Sequence, residues 1–215
     1  MSDPREPGGP AAPLLVACAL GIEQVALRSG RSTPGTLRVL RTGMGPRAAE
    51  AAVARALGPD GVPEAAVMAS GFCAGLAPGM HPGDLVVAEE TRDADGTTPC
   101  TGTGVLVAAL SRAFPGRRVH TGPLTGSDHV VRGPERAALR SGGAIAVDME
   151  SAATLRTALC HGPRPVAAVR VVVDAPEHEL VRIGTVRGGI SAFIVLRAVL
   201  PAFHEWHRSS TLPRR

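Results

Sequence analysis

The chain has 215 residues, 44% of them hydrophobic, which is enough for one sizeable core, and it carries a formal net charge of +4. All 23 basic residues are arginine; there is no lysine, tyrosine or asparagine, and the aromatics are four Phe and one Trp. A chain without lysine has no Walker A phosphate loop and no Schiff-base or pyridoxal phosphate chemistry, and one this poor in aromatics lacks the stacking platforms of single-strand nucleic-acid binding.

Residues 1–13 are rich in Pro and Gly, lack the basic start and apolar run of a secretory signal, and read as a disordered leader. Leu14–Leu20 reads as a buried first strand, with a helix over Glu23–Ser29 at its carboxyl end. Leu37–Arg41 is a second strand, closing in Gly43–Met44–Gly45–Pro46. Arg47–Leu57 has the Ala, Glu and Arg content of a helix, and Gly58–Pro59–Asp60–Gly61 ends it. Ala65–Ala69 is a third strand leading into a glycine turn, Gly71–Phe72–Cys73–Ala74–Gly75, and Leu85–Ala88 is a fourth. Arg92–Pro99 reads as a polar loop, Gly104–Phe114 and Pro134–Ser141 as helices, and Ile145–Val147 as a short strand before Asp148–Met149–Glu150. Ser151–Cys160 is helical. Val166–Val173 is a β-branched strand ending in Asp174. The apolar stretch Ile190–Leu200 is a final helix that Pro201 ends or kinks, and it suits either the core, a subunit interface or a groove for a lipid tail.

This alternation predicts the α/β class: one domain over 14–208, three-layer α/β/α around a mixed, mostly parallel central sheet, with a flexible tail at 209–215. No apolar run approaches the roughly 18 residues that span a bilayer. The four cysteines are far apart with no CxxC pair, so the expectation is a soluble, cytoplasmic protein with reduced thiols.

Several chemistry-bearing residues share one property: each follows an expected strand. Glu23 follows the first, Gly43 and Gly45 the second, Gly71–Gly75 the third, Asp148 and Glu150 a later one, and Asp174 the last. In a parallel α/β sheet such positions gather at one edge, where ligands bind. The glycine turn suits backbone N–H groups that cradle an anion or a hydroxyl-bearing ligand. It also matches G-x-C-x-G, a nucleophile elbow with Cys73 in place of serine, which Asp174 and His204 or His207 complete as a triad. Against the elbow stand Pro78, Gly79, Pro82 and Gly83, which block the helix it must enter. Asp174, at the end of an apolar strand, fits a general acid or a turn aspartate before Pro176. No HExxH or HxxEH motif is present, so no metal site is expected, and His129 after Asp128 is the histidine to watch.

Three stretches together carry a resemblance. They are Gly71–Phe72–Cys73–Ala74–Gly75–Leu76–Ala77–Pro78 with Pro82–Gly83–Asp84–Leu85–Val86–Val87, then Ala146–Val147–Asp148–Met149–Glu150–Ser151–Ala152, then Arg170–Val171–Val172–Val173–Asp174. From about Val16 to Pro176 the chain resembles the purine nucleoside phosphorylase and methylthioadenosine/S-adenosylhomocysteine nucleosidase superfamily, and within it the hopanoid-associated phosphorylase branch. The resemblance implies cleavage of the N-glycosidic bond of a purine nucleoside, adenine from a 5′-substituted adenosine such as adenosylhopane. Methylthioadenosine, S-adenosylhomocysteine or futalosine are alternative substrates. A Cys73 hydrolase and a non-catalytic nucleoside-binding protein are the readings of other classes.

In the roles implied by the resemblance, Asp174 protonates N7 and Glu150 holds the ribose hydroxyls. Met149 packs on the sugar, and Glu23, or Gln24 beside it, orients a water. Gly71, Phe72, Cys73, Val147, Asp128 and His129 line the base pocket, His129 standing where a Phe is usual. Ala69 and Ser70 occupy the place of the phosphate-binding arginine of hexameric phosphorylases. Phosphate as a co-substrate would then need Arg28 or Arg47 beside the Gly43–Gly45 turn, and hydrolysis and phosphorolysis both stay open. No other cofactor is implied, and the expected partners are the small nucleoside, free or linked to a lipid, and further copies of the chain.

Overall fold

The computed structural model describes residues 12–30, 37–174 and 185–211. β1 (Leu14–Cys18) pairs in parallel with β2 (Leu37–Arg41) on one side and β3 (Ala66–Gly75) on the other. β3 runs on in parallel with β8 (Val166–Asp174), β8 lies antiparallel to β4 (Leu85–Asp93), and β4 is parallel to β6 (Val119–Gly126). β6 is parallel to β7 (Ala146–Asp148), which returns antiparallel to the far end of β3. β3, β8, β4, β6 and β7 therefore close on themselves, with β1 and β2 extending the sheet from β3, and β5 (Gly96–Pro99) hairpinned onto β4. The sheet is mixed and mostly parallel.

Its two faces are covered by separate helical layers. α1 (Gly21–Ser29), α3 (Thr103–Ala113), α6 (Thr185–Ala198) and α7 (Leu200–Thr211) lie on one side, α2 (Pro46–Leu57) and α5 (Ser151–Cys160) on the other. Strand alternation sorts the core between them: Leu14, Val16 and Cys18 pack with the first layer, Leu15 and Ala17 with the second. α4 (Pro134–Ser141) sits apart, its Leu139 packed on a small cluster with Leu76, Val131 and Val147. On α7, the buried Trp206 donates from Nε1 to the Thr101 carbonyl at 2.7 Å, tying the last helix to the loop before α3.

Three expectations are corrected, and one strand, β6, appears that the sequence reading did not contain. The glycine stretch 71–75 is not a turn; it continues β3, because its backbone pairs first with β8 (Gly71 to Arg170) and then with β7 (Ala74 to Val147). The polar loop Arg92–Pro99 is a hairpin, with Glu90 opposite Pro99, Asp93 opposite Gly96 and a two-residue connection at Ala94–Asp95. β6 runs through Pro123 to Gly126, the proline sitting where the β4–β6 register shifts. The chain stays helical to Thr211, beyond the expected boundary at 208, and the helical break falls at Val199 with Pro201 in the first turn of α7. Most of the expected leader and the last four residues lie outside the described residues.

Candidate active site

A cavity of about 250 Å³ opens where β1, β3, β7 and β8 end. Its walls are mostly apolar, and four carboxylates from four elements reach it: Glu23, Asp148, Glu150 and Asp174.

Glu23 lies in the first turn of α1, where the helix dipole favours a carboxylate, and it is buried. Its Oε2 accepts from the N–H groups of Ala19 (2.9 Å) and Leu20 (2.8 Å), and its Oε1 from the N–H of Phe72 (2.7 Å). A carboxylate has about four acceptor positions, so one on Oε1 is left for another donor. Gly71 is what lets β3 come so close: it has φ +137°, and a Cβ there would stand 2.4 Å from Glu23 Oε1 and 2.8 Å from an Arg170 nitrogen.

Behind Glu23 lies an ionic core. Arg170, inward-facing on β8 and 1% exposed, donates from Nε to Ser151 Oγ at 2.9 Å, pairs with Asp148 Oδ2 at 2.6 Å, and donates from Nη1 to the Ser70 carbonyl at 3.2 Å. Asp148 also accepts the Glu150 and Ser151 N–H groups on Oδ1 and the Ser151 hydroxyl on Oδ2, so it caps α5 as well as holding Arg170. Glu150 is buried and accepts the Gly45 N–H on Oε1 at 2.9 Å. Burial pushes its carboxyl above the ordinary value; Asp148 and Glu23 add to this, while Arg170 and the Gly45 N–H oppose it.

Asp174 closes β8. Its Oδ2 accepts from Arg136 Nη2 of α4 at 2.8 Å, while its Oδ1 is buried with no partner among the described residues. His129 stands at the rim, its Nδ1 2.7 Å from Asp128 Oδ1 and its Nε2 3.0 Å from Glu135 Oε2. The hydrogen bond to Asp128, then that to Glu135, raises its pKa.

The structure thus gathers Glu23, Phe72, Cys73, His129, Val147, Met149, Glu150 and Asp174 around one space, and sets Gly71 directly behind it against Glu23. Asp128 lies instead in an adjoining cleft that shares Met149. The arginines offered for phosphate are not brought in: Arg28 lines a separate groove with Leu37 and Val39, and Arg47 is exposed and absent from the wall. The Gly43–Gly45 turn does not present a free anion cradle either, because the Gly45 N–H is occupied by Glu150. Arg136, which reaches the site only through Asp174, went unnoticed in the sequence, where it sits in a short charged helix that looks like surface; Met44, Val130 and Val131 join the wall without a motif to mark them.

The Cys73 hydrolase reading fails on geometry. Cys73 lies inside β3 rather than at a strand-to-helix corner, burial drives its thiol far above the usual range, and neither His204 nor His207 reaches the cavity. The Cys18 and Cys100 thiols are each pushed up to about 12, chiefly by burial. With iodoacetamide near neutral pH the exposed Cys160 should therefore label first, with Cys73 modified only on unfolding; mass spectrometry of the labelled peptides checks this. Among the described residues no group of three His, Cys, Asp or Glu side chains is placed to hold a metal ion, and no helix is long and apolar enough to cross a membrane.

A family model for the phosphorylase superfamily matches residues 22–200. Solved structures share the fold. The 5′-methylthioadenosine/S-adenosylhomocysteine nucleosidase of Neisseria meningitidis, in complex with methylthio-immucillin-A, is 21% identical with a TM-score of 0.75, covering 90% of this chain and 99% of that one. The corresponding Helicobacter pylori nucleosidase is 15% identical with a TM-score of 0.73, covering 91% and 99%. The futalosine hydrolase of Helicobacter pylori is 14% identical with a TM-score of 0.74, covering 90% and 97%. No curated protein matches the sequence. With most of its length inside that family model, the chain belongs to the phosphorylase superfamily, as an enzyme of the nucleosidase and nucleoside phosphorylase kind.

Proposed function

We propose that the chain hydrolyses the N-glycosidic bond of a 5′-substituted purine nucleoside and releases adenine. The observation that carries this is a mostly apolar cavity with separate carboxylates at hand for the sugar, the water and the base. As the C1′–N9 bond breaks, its electron pair passes to the base and a proton on Asp174 Oδ1 moves to N7. A water held at the remaining acceptor position of Glu23 adds to C1′ and gives its proton to that carboxylate. Glu150 accepts ribose hydroxyls, and its charge faces the cationic sugar. Met149 packs on the ribose.

Water is favoured over phosphate by charge. Glu23, Asp148 and Glu150 are all buried around Arg170, whose Nε is engaged by Asp148 and Ser151 and whose Nη1 donates to the Ser70 carbonyl. A phosphate dianion would add like charge to that cluster. Turnover in ¹⁸O-labelled water should put the label on C1′ of the released sugar at the same rate with and without phosphate. Appearance of a ribose 1-phosphate would establish phosphorolysis and overturn this choice.

An apolar 5′ group, a hopane among the candidates, is supported by Met44 and Val130, which line the cavity while being 64% and 61% exposed. The kcat/KM for adenosines with lengthening 5′-alkyl groups should then rise rather than fall. The same rim offers a second copy of the chain an apolar edge, in keeping with a homo-oligomer, and the cytoplasm remains the proposed location.

A further inference from the structure

Arg136 is the member of this site with no role so far. It is 8% exposed although it sits on a short, polar helix, and it reaches from α4 to the end of β8. Two buried atoms at the contact have no partner among the described residues: Arg136 Nε and Asp174 Oδ1. Burying a guanidinium with a donor unmet is costly, and a purely structural pair would more readily satisfy both ends. Asp174 belongs to the cavity wall, so its unpartnered Oδ1 is available to a ligand bound there.

We propose that Arg136 is a positioning residue for leaving-group activation: it fixes Asp174 Oδ2, points Oδ1 at the base, and stabilises the carboxylate that forms as the proton leaves. The proposal rests on the reading of Asp174 as the acid. When Oδ1 gives its proton to N7, Asp174 gains a negative charge 2.8 Å from a nitrogen that is already cationic. The pair is then stronger late in the step than at its start, which lowers the barrier rather than merely tightening binding. Water does not compete, because the Arg136 and Asp174 side chains are 9% and 14% exposed. The proton balance is unchanged: N7 gains the proton that Asp174 loses, and Arg136 keeps its own throughout.

The test compares two leaving groups on one sugar. Adenine needs protonation to depart, whereas 4-nitrophenolate does not. The probes are adenosine and 4-nitrophenyl β-D-ribofuranoside, each with the same 5′-alkylthio group. Arg136→Met should lower kcat for the adenosine by about 100-fold, the scale of lost acid catalysis, with KM within about threefold. The nitrophenyl riboside should be cleaved within about threefold of the native rate. Arg136→Lys, which keeps the charge, should recover at least about tenfold of the loss on the adenosine. The ratio of the two rates does not depend on how much variant folds, so poor folding leaves the test intact. Equal losses on both substrates, or none on either, would overturn the proposal. If Asp174→Asn also left adenine release intact, the acid assignment itself would fall; if Asp174→Asn abolished it while Arg136→Met did not, only the role of Arg136 would.

Discussion

Asp174→Asn is expected to reduce kcat for adenine release by about 10²- to 10⁴-fold, the usual range for a lost general acid, with the smallest effect on substrates whose base leaves unaided. The amide is nearly isosteric and keeps an oxygen for Arg136 at Oδ2, so the cavity and the bound substrate should change little. KM should accordingly stay within about an order of magnitude, because the interaction removed is one made in the transition state. Steady-state kinetics with the native substrate class and with the nitrophenyl riboside measure both parts. A variant that released adenine at the native rate would remove Asp174 from the mechanism and with it the proposed route of base departure.

Arg170→Met should be the most destabilising single change at the site. It strands Asp148, and with it Ser151 and the start of α5, in a space where the arginine was 1% exposed. Breaking a buried pair from one side costs about 3–5 kcal/mol. For a chain of this size that corresponds to a fall in Tm of roughly 6–20 °C. Replacing both partners, as in Arg170→Met with Asp148→Leu, should return part of that loss, since apolar side chains of similar volume tolerate such a site. The return is partial because Asp148 Oδ1 also serves two backbone N–H groups. Activity should not return with stability: Glu23 and Glu150 would face each other without the intervening cation. Thermal denaturation of the two variants beside their kcat separates the two contributions.

Much of this was legible in the sequence because it depended on short-range pattern. β-branched runs alternating with Ala-rich helices set the layers, and polar residues at strand ends pointed to one edge. Gly71–Gly75 shows where pattern stops. A glycine-rich stretch reads as a turn from local conformational freedom alone, but here it is extended because β7 and β8 pair with it from far along the chain. The hairpin turning at Ala94–Asp95 shows the opposite case: Asp95 and Gly96 offered a local turn signal, but the strands on either side are polar and did not read as strands. Arg136 was invisible because an inward arginine on a charged helix has the same spelling as an outward one, and only the position of β8 distinguishes them. The loss of Arg28 and Arg47 from the site is likewise a matter of where helices land, not of motif.

The closed ring of β3, β8, β4, β6 and β7 has a bearing on how the chain acquires its shape. The β3 segment near Ser70 emerges from synthesis about a hundred residues before the Arg170 segment that pairs with it. Until then β3 presents an unsatisfied edge rich in small and apolar residues, a surface prone to mispairing between molecules. Contacts so distant in sequence make for slow closure. The ionic core under the pocket joins residues from both ends of that interval, so the pocket is not complete until the final strand seats.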